Sequence, residues 1–158
     1  MNKIGKVLIF IVLLFILILG VEYIYKKKEP TTLEQFPGRE RKSVTIRGQN
    51  FDVVVSRTQE ELTQGLSNTR PIKENEGMLF MFSKPGNYNF WMKDMNYPID
   101  MLWIDKDNKI IFIQKNATPE SYPESFGPRD GQALMVLEIG AGFSNKLGIT
   151  VGDSVVIQ

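Results

Sequence analysis

Residues 7–19, VLIFIVLLFILIL, are apolar without interruption, and a helix made of them has no polar face to turn to water. Such a helix has to be enclosed, by protein or by lipid. Residues 4–24, IGKVLIFIVLLFILILGVEYI, suffice for a membrane crossing, since about 20 residues at ~1.5 Å each span ~30 Å of hydrocarbon. The strictly apolar core from Val7 to Val21 is also short enough for the apolar region of a secretory signal peptide. The flanks favour an uncleaved anchor. The run exits into Glu22-Tyr23-Ile24-Tyr25-Lys26-Lys27-Lys28 with no small-x-small cleavage site, and the chain has no Cys to carry a lipid. Tyr23 and Tyr25 sit where interfacial aromatics belong. Lys3 and Lys6 precede the span and Lys26–Lys28 follow it, so the positive-inside count is nearly tied. A short N-terminal tail stays in the cytoplasm as a rule, which puts residues 30–158 outside. The sequence thus divides into an anchor over 1–29, a polar linker over 30–42 with Pro30 and Pro37, and one domain over 43–158.

Composition narrows what that domain does. A chain of 158 residues has room for one ordinary domain beside the anchor. It contains no His and no Cys, which removes Ser-His-Asp triads, imidazole bases, thiol nucleophiles, Cys-ligated metals and disulfides. Of 19 basic and 18 acidic side chains, residues 30–158 keep 14 and 16, a net charge of about −2. Nucleic acid is therefore not an expected partner, because phosphate contacts need a concentrated basic surface.

The soluble part reads as mainly β. SVTIR (43–47) and FDVVVS (51–56) are β-branched runs flanking Gly48-Gln49-Asn50, a hairpin pattern. Thr58-Gln59-Glu60-Glu61 is a capping box opening a helix of about two turns that ends near Gly65. Strands follow at 78–82, 90–92, 99–104, 110–114, 134–139 and 153–158, with one helical turn at 143–146. Asp105-Lys106-Asp107-Asn108-Lys109 is a hairpin turn and not a calcium loop, since Ile110 stands where the loop needs Gly. Residues 116–131 are rich in Pro, Ser and Gly and form a long connection. The expected fold is a small single-domain β-barrel or sandwich with one or two short helices, plus one N-terminal transmembrane helix.

Four blocks carry a family signature: Gln64–Arg70 (QGLSNTR), Glu76–Phe82 (EGMLFMF), Phe90–Met95 (FWMKDM) and Pro98-Ile99-Asp100. They continue through Ile104-Asp105, Val136-Leu137-Glu138, Ala141-Gly142, Gly148-Ile149 and Gly152-Asp153. The chain resembles the domain of unknown function 192 family over about residues 43–158. The resemblance implies a small mainly-β domain, often behind a signal sequence or anchor, and assigns no reaction. Two positions depart from the pattern: Asp94 stands where Asn is frequent, and Met95 where Thr is.

Candidate functional residues come from polar groups in apolar strands. Strand alternation puts Asp100, Leu102 and Ile104 on one face, opposite Ile99, Met101 and Trp103. Asp100 and Glu138 are both flanked by apolar residues, and a buried carboxylate needs a partner. Lys93 and Arg70 are the expected ones. A pocket of Arg70, Trp91, Lys93, Asp100 and Glu138, lidded by 116–131, is the expected ligand site. No catalytic residue, metal or cofactor is assigned. The six methionines from Met78 to Met135 are soft Cu(I) donors in principle, but their apolar neighbours favour a core role. Tyr88 and Tyr97 are the aromatics expected to be exposed. The functional expectation is a non-enzymatic binding or accessory module of the cell envelope, taking a saccharide, peptide or protein ligand. The alternative is a hydrolase of envelope polymers using Asp100 and Glu138 as its carboxylate pair.

Overall fold

The computed structural model describes residues 3–26 and 31–158, and within the first stretch the side chains of Gly5 and of residues 9–22. Two compact units result, divided between Pro30 and Thr31. The first is a single helix, α1 (Lys3–Lys26), whose apolar side chains from Ile9 to Leu19 are all exposed. Among the described residues no helix is long and apolar enough to cross a membrane. The expected interfacial tyrosines Tyr23 and Tyr25 and the lysine flanks at 3, 6 and 26–28 lie outside the described side chains, and Pro30 lies outside the described residues.

The second unit starts earlier than the sequence suggests. Residues 31–42, expected to be linker, belong to the domain. Thr31 caps a one-turn helix, α2 (Thr32–Gln35), through a reciprocal capping box with Glu34. Phe36 beyond it is buried at 4% exposure. Arg39 stacks its guanidinium 4.6 Å from the Phe36 ring and donates to Ser56 Oγ (3.1 Å) and Gln64 Oε1 (2.6 Å). Polar side chains of the stretch, Arg39 above all, thus bond to the domain.

The strands are β1 (Arg41–Ile46), β2 (Gln49–Ser56), β3 (Glu76–Gly86), β4 (Phe90–Trp91), β5 (Ile99–Ile104), β6 (Ile110–Ala117), β7 (Ser125–Phe126), β8 (Ala133–Gly140) and β9 (Val155–Ile157). The first hairpin turns one residue earlier than its sequence suggests. Arg47 and Gly48 both take positive φ, 51° and 80°, and Ile46 pairs with Gln49 in the tight two-residue turn that suits strand twist. Between β2 and β3, which are parallel, the chain crosses over through α3 (Gln59–Gln64), opened by the expected Thr58–Glu61 capping box. The β5–β6 hairpin is held by Asp105, whose carboxylate accepts from the amides of Asp107 (2.9 Å) and Lys109 (2.8 Å). A one-turn helix, α4 (Phe143–Lys146), follows β8.

Seven strands form one sheet in the order β6-β5-β8-β3-β2-β1-β9, and β4 pairs separately with β7. The long sheet is neither a flat layer nor half of a sandwich. It curls until its two edge strands approach, and a bridge between Lys109 and Ser154 ties them at one end. The result is a curled half-barrel. Its concave interior holds Val44, Ile46, Phe51, Leu79, Leu102 and Leu137, with Ile149 and the α4 segment filling in. The convex face carries a second cluster, including Val54, Met78, Phe80, Met101, Trp103 and Val136. Leu33 and Phe36 near α2, Leu62 and Leu66 near α3, and the β4–β7 ribbon through Phe90 and Phe126 cover that outer cluster. The methionines divide accordingly: Met78, Met92 and Met101 lie in the outer cluster and Met135 in the inner one.

Because Phe36 is part of the outer core, Phe36→Ala is expected to lower unfolding free energy by about 3–5 kcal/mol, the range for truncating a buried Phe. A linker residue changes it by less than about 0.5 kcal/mol. Urea unfolding of parent and variant measures the difference.

Candidate functional site

The outer cluster is incompletely covered, and the gap is a cavity of about 250 Å³. One wall is the end of α3 with the turn that follows, Leu62 to Ser67; the others are Phe80 and Phe82 of β3, the 87–91 segment, Lys93 and Met95. Glu138 of β8 completes the lining.

Two glycines of the signature blocks shape this region. Gly65 ends α3 with φ +49° and ψ −134°, and a Cβ there would sit 3.3 Å from the Phe80 ring. Conformation and contact both call for glycine. Gly77 runs past β8 so closely that a Cβ would meet the Glu138 carbonyl oxygen at 2.5 Å.

The wall is stiffened by ring contacts and by a seam between two loops. Phe80 meets Phe90 edge-on at 4.8 Å, Phe90 meets Trp103 at 5.8 Å, and Phe82 stacks on Tyr88 at 3.5 Å. The buried Trp103 indole donates to the Tyr88 carbonyl (2.7 Å) and holds the 87–90 segment to β5. Across the seam, Ser67 Oγ donates to the Lys93 carbonyl, the Asn68 amide to the Asp94 carbonyl, and Asn96 Nδ2 to the Thr69 carbonyl. Asp94 takes φ 55°, a left-handed turn position that suits Asn and Asp, so this departure from the family pattern keeps the backbone's requirement. Met95 makes the cavity wall more apolar than a Thr would.

Glu138 is 5% exposed, paired across the sheet with Met78 on one side and Met101 on the other. Neither neighbour is polar. Among the described residues its Oε2 has no hydrogen-bond partner. Burial pushes its pKa up to about 8, so the carboxyl is mostly protonated at neutral pH. Tyr97 lies close enough for the Glu138 charge to be felt, and burial first, with that charge, pushes the phenol up to about 12. Its hydroxyl is engaged elsewhere. Thr69 Oγ1 donates to the Leu66 carbonyl (2.6 Å), which leaves Tyr97 as the donor in the 2.7 Å bond to Thr69.

Of the five residues expected to form one pocket, three converge: Trp91, Lys93 and Glu138 line the same cavity. Trp91 is 56% exposed and meets the Tyr122 ring edge-on at 6.0 Å. Arg70 does not join them. It is exposed, its amide donates to Gln35 Oε1 (2.7 Å), and it is absent from the cavity lining. Asp100 is excluded by strand parity. It pairs with Ile139, whereas Met101 pairs with Glu138, so the two carboxylates point to opposite faces of the sheet. Asp100 is fully buried, and its oxygens accept from the amides of Asn116 (2.7 Å), Gly142 (3.1 Å) and Ser144 (2.9 Å). It caps the start of α4, and its partners are backbone amides where Lys93 and Arg70 were expected. Asp100 and Glu138 cannot flank one glycosidic bond, which removes the paired-carboxylate hydrolase.

Two further expectations change. The 116–131 connection is not a lid: its Ser125-Phe126 pairs with Trp91-Phe90 as β7 and braces the wall from behind. Tyr97 is buried at 7% exposure instead of exposed, since it fills the outer cluster. Among the described residues no three acidic side chains are grouped to hold a metal ion. The aromatic walls from Phe80, Phe82 and Phe90 were not foreseen. Their signal was present in EGMLFMF, where alternation puts Met78, Phe80 and Phe82 on one face.

The structure thus defines a small mainly-β domain with an aromatic cavity over one buried acid. By its sequence the chain belongs to the domain of unknown function 192 family (DUF192, "Uncharacterized ACR"), whose profile matches residues 42–157. Two crystal structures are similar to it. A protein of unknown function from Novosphingobium aromaticivorans is 30% identical, with a TM-score of 0.68 over 77% of this chain and 89% of that one. A protein from Sinorhizobium meliloti, provisionally described as a transcription regulator, is 29% identical, with a TM-score of 0.68 over 82% and 97%. No curated protein matches the chain.

The sign of the Glu138 shift fixes a pH dependence. The folded chain holds its proton up to about 8 and the unfolded chain releases it near 4.5, so the folded state binds more protons in between. Stability is therefore full below about 4.5 and falls as pH rises toward about 8, by up to about 1.4 kcal/mol per pH unit from this group. Glu138→Gln removes that slope. Urea unfolding across this window is expected to show the variant gaining on the parent as pH rises; parallel curves would contradict the assignment.

Proposed function

We propose that the domain is a non-enzymatic binding module whose ligand occupies the cavity lined by Trp91, Lys93 and Glu138. One observation carries this reading: a buried carboxyl oxygen without a partner at the edge of an aromatic cavity. An unsatisfied buried polar group costs about 1–3 kcal/mol, which a bound ligand recovers by completing its hydrogen bonds. The lining joins aromatic walls to polar side chains able to orient a ligand, among them Thr63, Gln64, Asn87, Asn89 and Lys93. Regulation through direct nucleic-acid contact, which the description of the Sinorhizobium meliloti protein brings to mind, is disfavoured by the weakly acidic balance of residues 30–158.

We propose further that residues 4–24 anchor the chain in a membrane and that residues 30–158 work outside it, as an accessory domain of the cell envelope. Support comes from the sequence, in which the unbroken apolar run Val7–Leu19 lies within a stretch of about 20 residues.

Two measurements test these readings. Thermal unfolding of the full-length protein against envelope saccharides, peptides and small amines is expected to yield a hit. At ~100-fold over its Kd that ligand adds ~2.7 kcal/mol, several degrees in Tm. Trp91→Ala, at an exposed position of the lining, should reduce the shift without unfolding the chain. Silence across the panel, or a shift left unchanged in that variant, removes the binding module. For the anchor, alkaline carbonate should leave the chain in the membrane pellet and a protease added outside should digest residues 30–158. Release into the supernatant excludes anchoring.

A further inference from the structure

Resting on the binding reading above, we propose that the cavity takes a small organic cation, an amine whose ammonium group seats on the Glu138 carboxylate among the aromatic rings. Every element packed against Glu138 bears on this. From β3 and β5 its cross-strand neighbours are Met78 and Met101, which offer no hydrogen and no charge. From the segment before β5 comes Tyr97, whose hydroxyl proton already goes to Thr69. The α3 wall contributes Leu62, Gln64 and Gly65, none of them charged. The cation in the lining is Lys93, which is exposed, so water and salt screen it. Nothing described around the carboxyl supplies the positive partner that a buried carboxylate requires, and a ligand can.

The walls agree with that charge. Phe80, Phe82, Tyr88, Phe90 and Trp91 line the same space, and ring faces attract cations most strongly where water is displaced. An anionic ligand would meet these negative faces and the Glu138 oxygens with no buried cation in return. Lys93 at the exposed end sets orientation, repelling the ammonium toward the floor. Binding balances as an exchange: the ammonium enters with its protons, Glu138 gives up its carboxyl proton to solvent, and one proton leaves for each amine bound.

That proton separates this proposal from the broader one. Calorimetric titration of the full-length protein in detergent micelles would use benzylamine and hexylamine, with benzyl alcohol and benzoate as neutral and anionic counterparts, in buffers of different ionisation enthalpy. Both amines are expected to bind with release of close to one proton, their affinity rising about tenfold per pH unit below about 8 and levelling above. Glu138→Gln keeps the side chain's shape and should cost at least tenfold in amine affinity while erasing the slope. Trp91→Ala, at the exposed end, should weaken both amines severalfold and keep it. Benzyl alcohol binding as tightly as benzylamine, with no proton released, overturns the cation and leaves the binding module standing. Amine binding unchanged in Glu138→Gln also overturns it. If no probe here binds and the saccharide and peptide panel is silent, both readings fall together.

Discussion

A sheet buried on both faces has to find two sets of apolar partners, and most of this structure follows from how one sheet finds them. Every residue of β5 from Ile99 to Ile104 is buried, and β8 is buried almost throughout. Curling the sheet until Lys109 meets Ser154 lets its concave face serve as its own partner, since side chains from opposite strands fill the interior. The convex face has no such solution. It is covered in pieces, by a one-turn helix, a two-turn helix and a two-stranded ribbon. Short elements joined by loops do not tile a curved surface completely. The cavity lies where α3 and the 87–95 segment fail to meet, over the one polar side chain that β8 turns outward.

That geometry explains why the two buried carboxylates have different chemistry. Asp100 faces inward near the sheet's end, where the turn into α4 offers free amides, and three of them bond its oxygens. Charge-assisted bonds of this kind make burial tolerable. Glu138 is one position along the neighbouring strand and faces the other way, into methionines and rings. Among the described residues no partner reaches Oε2, and the group keeps its proton at the cost of stability in alkaline solution. Two carboxylates one register step apart thus divide into a structural anchor and an unsatisfied acid.

Local features of the fold were legible and long-range ones were not. The Thr58–Glu61 box, the two hairpins, the turn at 143–146 and the shared face of Asp100, Leu102 and Ile104 are all set by residues within a few positions of each other. The same Thr-x-x-Glu signature stands at Thr31–Glu34, yet the prolines and charges around it mark a linker by composition. Only the contacts of Arg39 and Phe36 reveal why those residues are there. Register is a non-local property. In strands buried on both faces the apolar pattern does not alternate, so nothing in the sequence says which face Glu138 shares with which neighbour. Hence Asp100 and Glu138 enter the expected pocket on the same footing, as acids among apolar neighbours, with Arg70 and Lys93 as their expected cations, and only the register separates them. The ribbon of β4 and β7 was equally hidden, since a strand of two residues leaves no periodicity.

An unsatisfied acid in a core is a standing cost to a domain whose total stability is of the order of 10 kcal/mol. A hydrophobic residue of similar size would fill the same volume among Met78, Met101 and Phe80 without that cost, as replacements of buried charged groups show elsewhere. Glutamate therefore has no stability rationale at this position. Compensation from outside the chain supplies one, because the oxygen that destabilises the empty domain is the one a ligand can use. Affinity and instability then share a single source. The aromatic rings line the space over the acid, and a ligand that displaces water from that space strengthens any charge that replaces the proton.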